Sequence, residues 1–208
     1  IIDELAAKGF VDGKTAVIQK FNAQNDLATA NSIAKQLTAG DFDLIITSST
    51  LSMQTVANAN KNRGVKHVFG IVADPLNAGV GINPQNGADH PAYMTGIGSL
   101  ISAENALRIA KEMYPGLSKI GLADALFVTG DVTVLVAADA VAAAAKRGKI
   151  PAFSLLPPNV KKGMLFDLGA NFYEVGRQVG ELAAKVLNGT NPKDVPVTNL
   201  VPEKMTVN

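Results

Sequence analysis

The sequence has no cysteine and no tryptophan among its 208 residues. Without cysteine there is no disulfide framework, no thiolate zinc site and no cysteine nucleophile. The same absence suits an oxidising compartment, where a stray thiol is a liability. Aromatic residues are scarce, at 3 Tyr and 8 Phe. Neither sign of charge is in excess: 19 Lys and Arg stand against 18 Asp and Glu, a net charge of +1. A dedicated nucleic-acid binder would show a strong basic surplus, so nucleic acid is not an expected partner. No apolar run approaches the roughly 20 residues of a membrane-spanning helix. The opening, Ile1-Ile2-Asp3-Glu4, has no initiator Met and no signal-peptide pattern, which reads as a processed or trimmed start. What the chain does have is 47% hydrophobic residues, enough to bury real cores in one large domain or two small ones.

Helix and strand patterns alternate from end to end. Residues 1–8 read as the tail of a helix. Leu27, Ala30, Ile33, Ala34 and Leu37 fall at the helical period. Ser52 to Arg63, Ala103 to Met113, Val134 to Arg147, and the run Val175, Val179, Leu182, Val186 predict further helices. Gly9, Gly40, Gly64, Gly148 and Gly189 stand where helices end and are expected in the left-handed conformation. Strands are expected at Thr15–Gln19, Phe42–Thr47, Val65–Val72, Lys119–Leu122, Ala125–Thr129, Pro151–Leu155, Gly163–Leu168, Pro196–Val201 and Met205–Val207. The Leu44–Ile46 run suits a strand buried on both faces, as in a parallel sheet. Residues 76–92, rich in Gly, Asn and Pro, read as a loop. This alternation is the mark of an α/β fold with parallel sheets.

One junction breaks the pattern. In Lys119-Ile-Gly-Leu-Ala-Asp-Ala-Leu-Phe-Val-Thr129, two buried-strand patterns abut without a turn. As one strand it would bury the unpaired carboxylate of Asp124. As two parallel neighbours it lacks the crossover of a dozen or more residues. Residues are therefore expected to be missing between Leu122 and Ala123, the alternative being a genuinely shortened connection.

Several stretches, in order, resemble a known family. They are Leu5-Ala-Ala-Lys-Gly-Phe-Val-Asp-Gly-Lys14, Asp43-Leu-Ile-Ile-Thr-Ser-Ser-Thr50, Val72-Ala-Asp-Pro75 with Gly79, Met94-Thr-Gly-Ile97, and Tyr114-Pro115 leading to Lys119-Ile-Gly121. Later come Thr129-Gly-Asp131, Pro151-Ala-Phe153, and Phe172-Tyr-Glu-Val-Gly176 running to Leu187-Asn-Gly189. Together they resemble the periplasmic solute-binding proteins of ABC importers, in the family that includes tryptophan- and phenylalanine-binding members. Set against that family, a first strand and the start of its helix are absent before Ile1. A strand–helix–strand–helix stretch is absent at the 122/123 junction.

The resemblance implies an α/β protein of the type I periplasmic binding class: two Rossmann-like lobes with parallel sheets, joined by a three-segment hinge, with the ligand between them. The first lobe is expected at 1–98 and 169–196, the second at 99–168 and 197–208. It further implies a monomer without cofactor or catalytic activity. Its partners would be a small-molecule ligand, an amino acid and in some members an aromatic one, and a membrane-bound ABC permease. Its place would be the periplasm or another extracytoplasmic site, with a lipid anchor before processing as one form.

Candidate ligand contacts follow from strand ends. Ser48, Ser49 and Thr50 open a helix after a buried strand, where N–H groups and hydroxyls suit a carboxylate; simple N-capping is the alternative. Asp74 either faces a ligand donor or closes an Asp-Pro turn. Thr129 and Asp131 have the same placement in the second lobe, Asp131 as partner of a ligand ammonium or as a helix cap. Ser154 and Leu155 end the next strand. Phe172 reads as core or as a stacking platform. His67 and His90 stand alone without a carboxylate cluster, so no metal site is expected. There is no Gly-x-Ser-x-Gly elbow, P-loop or dinucleotide fingerprint. An effector domain of a lactose-repressor-type regulator shares the two-lobed plan and is the competing reading.

Overall fold

The computed structural model describes residues 1–118, 125–128, 137–157, 159–199 and 201–208. The chain falls into two compact units, Ile1–Leu100 with Phe172–Val201, and Ile101–Asn171 with Pro202–Asn208. The chain therefore crosses between units three times. The sequence-based boundaries lie a few residues earlier than each crossing. Val197 packs among Met53, Phe69 and Met94, and the Gly98 N–H donates to Thr198 O at 2.7 Å, which keeps both segments with the first unit.

The first unit runs α1 (Ile2–Ala7), α2 (Leu27–Ala39), β1 (Ile45–Thr47), α3 (Thr50–Asn60), β2 (His67–Val72) and β3 (Met94–Gly98). Its strands form one parallel sheet in the order β1-β2-β3. Asp26 caps α2 by accepting from the Thr29 N–H at 2.7 Å. The late helix Phe172–Leu187 belongs here too, and its Val175, Val179, Leu182 and Val186 stripe packs with Leu5 and Val68 under the sheet. On the other face Ala34, Ile45 and Val56 join α2 and α3 to β1.

β3 is a strand that propensity hides, because two of its five residues are glycine. Both are required by close approach. A Cβ on Gly96 would lie 2.3 Å from Phe69 O, and one on Gly98 would lie 2.2 Å from Asn199 Oδ1. Conversely, Thr15–Gln19 has strand composition but, among the described residues, joins no ladder and makes just the local Asp12–Ala16 bridge. In the expected strand Pro196–Val201, the described residues contribute one isolated bridge, Thr198 to Ile97.

The second unit contains α4 (Ala103–Met113), β4 (Leu126–Val128), α5 (Ala138–Gly148), β5 (Ala152–Ser154), a 3-10 turn at Asn159–Lys162, β6 (Phe166–Ala170) and β7 (Glu203–Val207). The late helix of the first unit, Phe172–Leu187, is α6. Strand order is β4-β5-β6-β7, with β7 antiparallel to β6. Ala106, Ala110, Phe153, Phe166 and Leu168 form its main core, with the Phe153 and Phe166 rings 4.8 Å apart. The strand expected at Gly163–Leu168 starts later, because Gly163 (φ +107°) turns the chain. The glycine stops are only partly as expected. Gly9, Gly64 and Gly189 take positive φ, but Gly40 is extended, and after α5 the left-handed residue is Lys149 (φ +53°), not Gly148. The strand expected at Lys119–Leu122 and the Leu122–Ala123 junction lie outside the described residues.

Candidate functional site

β1 and β2 are parallel neighbours, so their carboxyl ends open on the same edge of the first unit's sheet. Open parallel sheets bind ligands at such edges. This edge carries Ser48, Ser49 and Thr50 after β1 and Asp74 after β2. Ser48 is exposed, while Ser49 and Thr50 are half-buried. Ser49 is the N-cap of α3: its Oγ accepts from the Ser52 N–H at 3.1 Å and lies 2.7 Å from Ser52 Oγ. Helix geometry leaves the N–H groups of Thr50 and Leu51 without an intrahelical acceptor. Ser49 thus fits the capping reading, and the corner beside it presents the Ser48 hydroxyl and the first-turn N–H groups.

Asp74 closes a turn, its Oδ1 accepting from the Asn77 N–H at 3.2 Å and its Oδ2 from Asn77 Nδ2 at 2.8 Å. A carboxylate held this way keeps acceptor capacity for another donor. Just upstream, Ile71 takes φ +55° where the β2–β3 register slips between Phe69 and Val72. Left-handed backbone in a β-branched residue costs roughly 1–3 kcal/mol, and the bulge re-aims the strand end that carries Asp74. The end of β3 joins the same edge. There the Ser99 N–H donates to Val72 O at 2.7 Å, and Asn199 Oδ1 accepts from the Leu100 N–H at 3.0 Å. Sequence reasoning singled out neither Ser99 nor Asn199, because β3 itself went unread.

In the second unit Ser154 and Leu155 follow the expected strand, but the Ser154 hydroxyl is fully buried and committed. It accepts from the Leu156 N–H and from Asn159 Nδ2, both at 2.9 Å. The Leu155 N–H donates to Val128 O at 3.0 Å, and its side chain packs on the Phe153 cluster. Thr129 and Asp131 lie outside the described residues. Phe172 is exposed at the start of α6.

Two buried ionisable groups complete the polar interior. His67, fully buried in β2, has Nε2 2.9 Å from Thr47 Oγ1, and burial lowers its pKa to about 3, so the ring is neutral. Asp167, fully buried in β6 beside Ser154, accepts from the Val160 N–H at 2.6 Å, and burial pushes its carboxyl above the usual range. Sequence reasoning missed Asp167, although an Asp inside Met164-Leu-Phe-Asp-Leu168 was the available signal. Among the described residues His67 Nδ1, Asp167 Oδ1 and Asn159 Oδ1 find no hydrogen-bond partner. Among the described residues no group of three His, Asp or Glu could hold a metal ion, and no helix is long and apolar enough to cross a membrane.

A family model described as ABC transporter substrate binding protein matches residues 1–124 and 122–208. The chain belongs to this family. The substrate-binding family comprises binding proteins, not enzymes, and the break in the match falls at the junction singled out from the sequence. A tyrosine-binding protein of Clostridioides difficile (strain R20291) is 26% identical over 255 aligned residues, covering 100% of this chain and 72% of that protein. An alignment longer than the 208-residue chain means that this substrate-binding relative carries internal segments missing here. A substrate-binding protein with adhesive properties from Clostridium difficile, solved ligand-free and open, superposes with a TM-score of 0.80 at 26% identity, over 97% of this chain and 84% of that one. An ABC domain from Streptococcus pneumoniae in complex with L-Trp gives 0.85 at 20% identity, over 99% and 84%, and shows the shared fold. The α/β architecture with parallel sheets is that of the periplasmic binding proteins, and this chain is a shortened version of it.

Proposed function

We propose that this substrate-binding protein captures an amino acid, an aromatic one in particular, between its two units and hands it to the permease of an ABC importer. It works outside the cytoplasm as a monomer. The observation that carries this reading is the family match along the whole chain. Relatives named for tyrosine and solved with L-Trp support the ligand class. The match favours this reading over the effector domain of a transcription regulator. In the proposed site the ligand carboxylate meets Ser48, Ser49 and Thr50 at the start of α3, with Asp74 beside them. Its ammonium meets Asp131, assigned on sequence together with Thr129, and Ser154 and Leu155 border the second half.

A thermal-shift screen of Tyr, Trp, Phe and aliphatic amino acids, with purine derivatives and small sugars as controls, tests the ligand class. A ligand at one hundred times its Kd stabilises the fold by about 2.7 kcal/mol, a readable rise in melting temperature. No rise with any amino acid overturns the reading. Asp131→Ala is expected to weaken the best ligand at least tenfold by calorimetry, about 1.4 kcal/mol. Unchanged affinity removes Asp131 from the site.

A further inference from the structure

Two Asn-Gly pairs occur in the chain, Asn86-Gly87 and Asn188-Gly189. Asparagine followed by glycine is chemically labile. The backbone nitrogen of the next residue can attack the side-chain Cγ and close a five-membered ring, and glycine has no side chain to block the approach. The two pairs sit in opposite settings. Asn188 and Gly189 end α6, where the Asn188 N–H donates to Ala184 O at 2.9 Å and the Gly189 N–H to Val186 O at 3.1 Å. A nitrogen whose proton is committed to a carbonyl must first break that bond to act as a nucleophile.

Asn86 is exposed in the loop between β2 and β3. Its own backbone is pinned, the N–H donating to Asn83 O at 3.1 Å and the C=O accepting from the Asp89 N–H at 2.9 Å. Its side chain is bent over the next peptide, Oδ1 accepting from the Ala88 N–H at 3.1 Å. Among the described residues the Gly87 N–H has no acceptor. The donor on Oδ1 stands where negative charge develops when Cγ is attacked, which lowers the barrier. Nor can the fold place another residue after Asn86. A Cβ on Gly87 would lie 2.2 Å from Val197 O, and Gly87 O itself accepts from the Val197 N–H at 2.7 Å. The packing that demands glycine at 87 thereby supplies an unhindered nucleophile.

We propose that Asn86 is a site of spontaneous deamidation and that Asn188 is protected by its helix end. Gly87 N bonds to Asn86 Cγ, the Cγ–Nδ2 bond breaks, and ammonia leaves carrying the proton given up by Gly87 N. Water then adds to either carbonyl of the cyclic imide and reopens it, on one side to aspartate and on the other to isoaspartate, whose backbone runs through the former side chain. Both products put a carboxylate where an amide stood, in the turn that holds Asp89, whose Oδ2 accepts from Asn83 Nδ2 at 3.0 Å. The isoaspartate also lengthens the main chain by a methylene just ahead of Gly87. That pulls on the Gly87–Val197 hydrogen bond, and Val197 packs with Ile82, Phe69 and Met94 in the core of the first unit. Water is the sole co-reactant, so the change accumulates as the protein ages. This inference concerns the loop before β3 and stands apart from the ligand reading.

Ageing the purified protein in mildly alkaline buffer, followed by peptide mapping with electron-transfer fragmentation to separate aspartate from isoaspartate, tests it. Conversion at Asn86 is expected to run about tenfold faster than at Asn188, equivalent to about 1.4 kcal/mol of barrier. In guanidinium, where the loop and the helix end are both lost, the two rates are expected to converge. Asn86→Gln, which would need a six-membered ring, is expected to stay intact, and Asn188→Gln to leave conversion at Asn86 unchanged. By NMR the Val197 amide of the aged protein is expected to exchange faster with solvent, and that of the aged Asn86→Gln protein is not. Equal rates in the folded protein, or faster loss of Asn188, overturn the proposal. So does an unchanged ratio in guanidinium, which would trace the difference to neighbouring residues rather than to the fold.

Discussion

The two units solve the same problem, a parallel sheet between helices, with opposite endings. In the second unit β7 folds back antiparallel along all five residues of β6 and closes that side of the sheet. In the first unit β1 ends the ladder while its covering helices continue past it. The difference extends to the interior. The first unit buries a neutral imidazole, His67, on a hydroxyl; the second buries a carboxyl, Asp167, on a backbone N–H. A buried group that resists protonation and one that resists ionisation give the units opposite responses to pH.

Acid is therefore the sharpest way to separate them. The folded pKa of His67, about 3, lies below its ordinary 6.5. Its stabilising contribution is present above pH 6.5 and is lost as pH falls toward 3. At 1.36 kcal/mol per unit, acidification from pH 7 to pH 4 is expected to cost the first unit roughly 3 kcal/mol. Hydrogen exchange read on peptides of each unit should show the first opening earlier, and His67→Gln should flatten that response. Simultaneous opening of both units in acid breaks the comparison.

Next in size are the glycines that admit close packing in the first unit. Gly96→Ala puts a methyl against Phe69 O, a backbone atom that cannot rotate away, and is expected to cost about 2–3 kcal/mol. Gly70→Ala meets the Val179 side chain at 2.2 Å instead. Val179→Ala should rescue Gly70→Ala and leave Gly96→Ala unrescued, as chemical denaturation will show. Rescue of both would mean that β3 is looser than described.

A smaller effect of opposite sign is expected in the second unit. The Asp167 carboxyl is raised by burial, so its stabilising contribution is present below the ordinary 3.8 and is lost as pH rises through its folded value. Asp167→Asn should remove that loss, making the second unit's stability flatter with pH above 4. A steeper profile in the variant contradicts the burial argument. Smallest is Lys149→Gly. It relieves a left-handed lysine after α5 and is expected to add about 0.5–1 kcal/mol to the second unit without touching the first.

Much of this architecture was legible where a single local rule decides. Ala103–Met113 was readable as a helix end to end, because its apolar stripe repeats at 3.6 residues and Ser102 caps it, accepting from the Asn105 N–H at 3.2 Å. The edge holding Ser48–Thr50 and Asp74 was legible through strand ends. β3 was not, because Gly96 and Gly98 were selected by Phe69 and Asn199 on other segments. Thr15–Gln19 failed in the reverse direction: its propensity is real, but a strand exists only when a neighbour accepts its hydrogen bonds. Ser154 was legible as the end of β5, but not the partners of its hydroxyl, the Leu156 N–H and Asn159 Nδ2, which lie beyond the strand.

By itself the sequence determined the α/β class and the helices with unbroken periods, and it raised the question of the junction near Leu122–Ala123, where the family match also breaks. These depend on spacing along the chain, and spacing survives without coordinates. Only the tertiary structure decided that β7 closes one sheet while β1 leaves another open, that Lys149 rather than Gly148 takes the left-handed turn, and that His67 and Asp167 lose their solvent. Those outcomes depend on which distant backbone arrives at a given edge and what volume it leaves, and no local pattern encodes that.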